Sequence, residues 1–445
     1  MSDGVKRDSE KRETLDDYSL KPVPPDKRKS WLDIAVVWIG VAIVLSALLR
    51  GMMVGMGLGS IPNVLLAYLL GEVLLVGMMA LTGFLGARLG LSTPLLARVS
   101  FGEKGSLLIS FCLAIAFMGW FGVQAGLFAE TLKAFAKTPL PVPLLAFLSG
   151  ILMMIPAVFG FRGLKVLSWC AVPPMVVVFL YAAVKLGFHF LPRQELIGLA
   201  QSHSPSPYPV SLGAAASIVA GGFIVGAVTS ADVFRFARPR FKDIVAAASL
   251  AMGTSALMQL VGSVLAMRTG LYHEHLPRLI ISSEYAGLGI VGFLAIGFAQ
   301  WTTNDSNLYS SVLAFNAIIR WTRWKLALIV GVLASFLAAL GILARLELFL
   351  SVLSIAVGPI GGILVADYYL LGKAKNSNRA ATKSWNPVAL GAYALSFLVG
   401  WTTSGHPFKI GVFPFSIFAF NGILSAVLFY WAGMKIFNEH RQTGR

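Results

Sequence analysis

Apolar residues fill this chain in long runs, and polar residues collect between them. Runs of spanning length begin near Trp31, Ile61, Ser106, Leu140, Val166, Val210, Ile244, Ala286, Leu326, Leu348, Val388 and Phe413. A helix needs about 20 residues to cross bilayer hydrocarbon, so the pattern predicts an all-α polytopic membrane protein of about twelve helices. Two runs look broken. The first, WLDIAVVWIGVAIVLSALLRGMMVGMGLGS, is too long for one span and is rich in Gly and Ser at its middle and end. The sixth, PVSLGAAASIVAGGFIVGAVTSADVFRF, carries Gly221, Gly222 and Gly226 near its centre. Their separation fits two five-helix repeats of inverted topology, and interrupted helices at matching places point to a transporter's midplane site. The expected organisation is a disordered cytosolic tail (1–30), a first repeat (31–200), a second repeat (201–372), two further helices (373–437) and a cytosolic tail (438–445).

Composition agrees. Of 445 residues, 57% are hydrophobic and only 13% charged, against about 25% charged in an ordinary soluble domain. The first thirty residues are polar and lack the apolar core of a cleavable signal. The net charge of +16 would suit nucleic acid, but its placement argues otherwise. Roughly 27 Lys and Arg fall on one side of the predicted topology and about eight on the other, which by the positive-inside rule puts both termini in the cytoplasm of an inner-membrane protein. No soluble basic domain remains to bind nucleic acid. Cys112 and Cys170 lie in apolar runs and imply neither a disulfide framework nor a metal knuckle.

Candidate chemistry lies inside the spans. In AQWTTNDSNLYSS, Ala299, Thr302 and Thr303 stand at i, i+3 and i+4, on one helical face. Two hydroxyls and a carbonyl would suit a small hard cation; they would equally serve ordinary bonds to the i−4 carbonyl or a neighbouring helix. In GWFGVQAG, Trp120 and Gln124 share a face at i and i+4. An indole and a primary amide suit a flat heterocycle, though a packing Trp and an interhelical Gln fit the same spacing. Phe223 could supply an opposite aromatic wall. Arg50, Glu72, Glu130 and Asp305 are ionisable residues within spans and should have partners; Arg50 and Glu72 fall at comparable depth on consecutive helices and are expected to pair. Asp232 and Arg235 read as an anchor at one end of the sixth helix. His273 and His275 form a loop doublet without metalloprotease spacing. No nucleophile–base set and no P-loop occurs, so the chain reads as neither an enzyme nor an ATP-driven pump.

The stretches GARLGLSTPLLARVSFGEKGS (86–106), MGWFGVQ (118–124), TSADVFRFAR (229–238), WTTNDSNLY (301–309) and VGPIGGILVADYYL (357–370) resemble the nucleobase–cation symporter family one, most of all its bacterial cytosine permeases. The resemblance is collinear from about residue 30 to 435. It implies the inverted-repeat architecture, alternating access and, in sodium-dependent members, coupling to an inward sodium gradient. It further implies that Trp120 and Phe223 sandwich the substrate, that Asn304 bonds its edge, and that backbone groups around Gly222 and Gly226 assist. Sodium would be held by the Thr302 and Thr303 hydroxyls, the Ala299 carbonyl and first-helix carbonyls, which an ungapped reading makes Val41 and Val44. Gln124 departs from the cytosine-type pattern and matches the family's hydantoin-type members. Ala299, Arg50 and Glu72 depart from it as well. The expected activity is sodium-coupled import of a neutral nucleobase, cytosine or a relative. Proton coupling, or a purine, uracil, hydantoin or thiamin-precursor pyrimidine as substrate, is the alternative, and a carboxylated heterocycle becomes one if Arg50 faces the cavity unpaired. A receptor or channel is the reading from another class. No obligate protein partner is evident beyond membrane lipid.

Overall fold

The hydroxyl of Ser30 accepts the Asp33 N–H at 3.3 Å and caps the first helix. In this computed structural model, α1 (Trp31–Ala42) then stops at two β-branched residues. Val44 takes an extended conformation (φ −139°, ψ 152°), and α2 (Leu45–Leu58) leaves at a bend of 56°. The break thus falls at Ile43 and Val44, with no glycine in it. The structure describes residue 18 and residues 21–159, 161–188, 210–269, 276–281, 283, 287–372, 384–404 and 417–443. The histidine doublet at 273 and 275 lies outside them.

The first half continues as α3 (Ile61–Leu89), α4 (Thr93–Phe101), α5 (Glu103–Ala136), α6 (Val142–Met153) and α7 (Phe161–Phe188). The predicted sixth span is broken twice. It consists of α8 (Leu212–Gly221), α9 (Ile224–Val228) and α10 (Ala231–Phe234), parted first at Gly222 and Phe223. Then come α11 (Phe241–Thr269), α12 (Leu276–Ile281), α13 (Gly289–Ile319), α14 (Arg323–Ala339), α15 (Leu346–Val365), α16 (Pro387–Thr403) and α17 (Phe418–Thr443). Among the described residues there is no strand, only an isolated bridge between Lys29 and Ala237.

Five helices are each long and apolar enough to cross a bilayer, namely α3, α5, α11, α15 with its continuation to Leu370, and α17. The bent pairs α1/α2 and α13/α14 meet the test when each is taken whole, which makes seven among the described residues. Beside these stand shorter apolar helical stretches at Val142–Met153, Gly163–Val178, Leu212–Gly221 and Pro387–Thr403. Large apolar side chains face outward along α3 (Leu65, Leu69, Val73) and α5 (Phe111, Ile115), as lipid-facing surfaces do.

Two contacts fix the site's frame. On one side α2 lies backbone-to-backbone on α11. A Cβ at Gly51 or Gly55 would fall on the backbone of Gln259 or Ser263, and one at Gly262 on the Leu48 carbonyl. Small residues at this spacing let membrane helices close. Gly51→Leu is therefore expected to lower unfolding stability by about 1–3 kcal/mol or more through overpacking, read as a fall in the melting temperature of detergent-purified protein.

At one end of the bundle, the sixth-span fragments are tied to α3 and α4. Asp232 accepts the Thr93 N–H at 2.8 Å, and Arg235 donates to the Tyr309 hydroxyl at 2.8 Å and the Tyr18 carbonyl at 2.7 Å. Arg28 donates to the carbonyls of Ala87 (2.6 Å) and Ala237 (3.0 Å). The backbone N–H groups of Val23 and Lys29 donate to Gly90 (2.9 Å) and Phe236 (2.6 Å). Asp232 and Arg235 are thus structural ties, as their sequence context suggested.

Candidate functional site

The breaks in the first and sixth spans open onto one buried cavity. Its lining residues surround about 490 Å³ of space not filled by atoms, open solvent included. Trp120 and Gln124 line it together, with Phe117 one turn away on the same face of α5. Gly222, Phe223 and Gly226 line it from the sixth span. Trp38 on α1 adds a fourth aromatic, its ring 5.8 Å from that of Phe223. The far face of Trp120 is braced edge-on by Phe349 at 5.5 Å. The rest of the wall is valine with neutral hydroxyls and an amide, apart from one guanidinium, that of Arg50.

Gln124 donates through Nε2 to the Ser46 hydroxyl at 3.0 Å, which leaves its buried Oε1 without a protein donor. An acceptor at the edge of an aromatic slot is what a ring N–H requires.

Asn304 is not in the wall. Its side chain donates to the Phe121 carbonyl at 3.1 Å and to the Met153 sulfur at 3.2 Å, and its Oδ1 accepts from Asn307 at 3.4 Å. The amide that reaches the cavity is that of Asn307, with Ser306 and Ser310 beside it. Helical spacing explains the difference. Thr303, Ser306, Asn307 and Ser310 stand at i, i+3, i+4 and i+7, a single face, whereas Asn304 is turned about 100° from Thr303.

Beneath the cavity lies a cluster of neutral oxygens. The Thr302 hydroxyl lies 3.0 Å from the Gly40 carbonyl and 3.1 Å from that of Ala299. The Thr303 hydroxyl lies 3.3 Å from the Val41 carbonyl and 3.1 Å from that of Ala299. Because α1 ends at Ala42, its last carbonyls have no helical N–H to accept, and the threonines of α13 meet two of them. The first-helix carbonyls that these hydroxyls reach are Gly40 and Val41. The expected Val44 carbonyl instead accepts the Ala47 N–H at 3.0 Å, inside the first turn of α2. Gln300 joins the break from α13, its Oε1 accepting the Leu45 N–H at 3.4 Å.

Five neutral oxygens converging at a helix end form a set for a hard cation. Among the described residues no group of three or more His, Cys, Asp and Glu could hold a metal. A divalent ion would lack the carboxylates that normally offset its charge, so the set fits a monovalent one. Val41 and Thr303 belong both to this cluster and to the cavity wall.

The expected Arg50–Glu72 pair does not form. No carboxylate among the described residues lies within 4.0 Å of Arg50. Glu72 accepts instead from Gln259 at 2.7 Å, a partner on α11 that lies nearer than the guanidinium. Asp305 is wholly buried on α13, with no hydrogen bond to either carboxylate oxygen, and lies outside the cavity lining. Glu130 is exposed on α5.

Comparison with known proteins gives a consistent picture. Residues 22–431 match the family described as permease for cytosine/purines, uracil, thiamine, allantoin. The cytosine permease of Escherichia coli strain K12 is 33% identical over 387 residues, covering 86% of this chain and 88% of the relative. Among solved structures, a closed form of Mhp1, a nucleobase–cation-symport-1 family transporter with bromovinylhydantoin bound, superposes with a TM-score of 0.79 at 20% identity, over 93% of this chain and 94% of that one. A sodium-coupled sialic acid symporter in a substrate-bound, outward-open state superposes with a TM-score of 0.65 at 15% identity, over 96% and 93%.

Proposed function

Because the chain belongs to the family of permeases for cytosine/purines, uracil, thiamine and allantoin, we propose that it imports a nucleobase or closely related planar heterocycle by sodium symport. The observation that carries this reading is the pair of residues shared by two sites. Val41 and Thr303 line the aromatic cavity and also belong to the oxygen cluster. An ion drawing those oxygens together would fix one wall of the cavity, so ion and substrate would each favour the other's binding. Trp120, Phe223 and Trp38 would hold the ring by its faces. Gln124 Oε1 and the Asn307 amide would accept from and donate to its edge, in place of the Asn304 contact expected from the sequence. Gly222 and Gly226 would keep the broken segment close to the ring. Cytosine is the reference ring, since the 33%-identical relatives are named cytosine permeases.

The cation would sit among Gly40, Val41, Ala299, Thr302 and Thr303 and tie the end of α1 to α13. Occupancy there would favour the state that admits substrate, after which one part of the bundle would rock against the other. Twelve helices in two inverted repeats, both termini in the cytoplasm and the inner membrane as location belong to the same proposal. The separation of the broken spans along the chain and the distribution of Lys and Arg support them.

The test is thermal stabilisation of purified protein by cytosine, uracil, hypoxanthine, hydantoin, nicotinate and orotate, in sodium and in potassium, followed by vesicle uptake of whichever binds. A ligand that binds only the folded form raises apparent stability. At least one ring is expected to stabilise the protein in sodium and far less in potassium, and to accumulate in vesicles under a sodium gradient. Uptake that is indifferent to sodium and abolished by a protonophore would transfer the coupling role to a titrating group such as Glu72 or Asp305.

A further inference from the structure

Arg50 is the one ionisable side chain in the cavity wall, and it is 2% exposed. It donates no hydrogen bond to any described residue, and its Nε is buried without a partner. The titratable groups that act on it through space are both on α3. One is Glu72, whose Oε1 is held by Gln259. The other is Tyr68, whose hydroxyl is 2.5 Å from that of Ser263 and 3.0 Å from the Gln259 carbonyl. Neither reaches the guanidinium. An arginine at bilayer depth is costly unless it is paired, and such residues face cavities where a partner can enter.

Its placement is built into the backbone. Arg50 stands one turn beyond Ser46 on the same face of the 14-residue α2, and both line the cavity. The N-terminal end of a helix of this length favours negative charge. Across the cavity, the broken sixth span makes room. A Cβ at Gly222 would fall on the Nε, Cδ and Cζ atoms of Arg50. No carboxylate lines the cavity to compete.

We propose that the substrate is a planar heterocycle bearing a carboxylate, and that Arg50 selects it by pairing with that group. This rests on the cavity being the substrate site, as proposed above, and it narrows the class of ring that the site takes. The aromatic walls hold the ring, while the carboxylate lies between the Arg50 guanidinium and the first turn of α2 beside Ser46. A guanidinium presents donors in a fork that matches a carboxylate, which makes it a specificity device as well as a counter-charge.

Two matched pairs of rings test it, nicotinate against nicotinamide and orotate against uracil, by calorimetric binding to the purified protein in sodium. In at least one pair the acid is expected to bind tenfold or more tightly than its neutral partner. Arg50→Gln is expected to abolish that preference, and Arg50→Lys to retain part of it. Gly222→Ala, which would displace the guanidinium, is expected to weaken the acid selectively. If the neutral ring binds as well as or better than the acid in both pairs, or if only neutral rings such as cytosine bind, the assignment is overturned while the transport proposal stands. If no ring of either kind binds, both fail. Should Arg50→Gln not fold, the comparison of acid with neutral ring in the unaltered protein decides by itself.

Discussion

Trp120→Ala is expected to weaken binding of the transported ring by about 5- to 150-fold, because stacking of a base on an aromatic side chain is worth about 1–3 kcal/mol. Trp120 is 6% exposed and braced by Phe349, so its loss also leaves a void. Burial alone makes truncation of such a side chain cost about 3–5 kcal/mol of stability. Trp120→Phe separates the two effects. It keeps a π-face against the ligand and is expected to recover most of the affinity, even where some thermal stability is lost. Titration calorimetry on both variants, each scored against its own melting curve, makes the distinction. Unchanged affinity in a folded Trp120→Ala protein would move the substrate to another place.

The second large effect is expected at Thr303. Thr303→Ala removes an oxygen 3.1 Å from the Ala299 carbonyl and 3.3 Å from that of Val41, and it alters the cavity wall at the same time. The sodium concentration for half-maximal stabilisation should rise tenfold or more, about 1.4 kcal/mol. Substrate affinity measured at fixed sodium should fall in step, since coupling between two bound species is reciprocal. Thr303→Ser retains the hydroxyl and should retain both. Thr302 belongs to the oxygen cluster but not to the cavity wall. Thr302→Ala should therefore shift the sodium dependence and leave substrate affinity unchanged at saturating sodium. Identical behaviour of the two alanine variants would show that ion and substrate do not share a wall.

Much of this site could be read from local spacing. Trp120 and Gln124 sit together in the wall as i and i+4 residues of one uninterrupted helix, where face and sequence distance are rigidly linked. Thr302, Thr303 and Ala299 converge for the same reason. Expectation and structure diverge where that link fails. Asn304 drew attention by its neighbours in WTTND, yet counting onward from Thr303 leads to Asn307 and Ser310. The carbonyl of Val44 lies past the stop at Ala42, where the break resets the register, and it accepts the Ala47 N–H. Trp38 carried no signal of its own, since an indole in a long apolar run reads as packing. The Arg50–Glu72 pair failed for a reason outside both helices. Gln259 on α11 takes the carboxylate, and nothing near either residue in the chain announces it.

The segment ahead of the first helix has a role that its polar composition hides. Through Val23, Arg28 and Lys29 it stitches the turn at Gly90 to the strip around Phe236 and Ala237. Any motion that parts those two strips must first break these bonds. The segment is thus a drawstring across that end of the fold, and its hold rests on a handful of main-chain and guanidinium bonds.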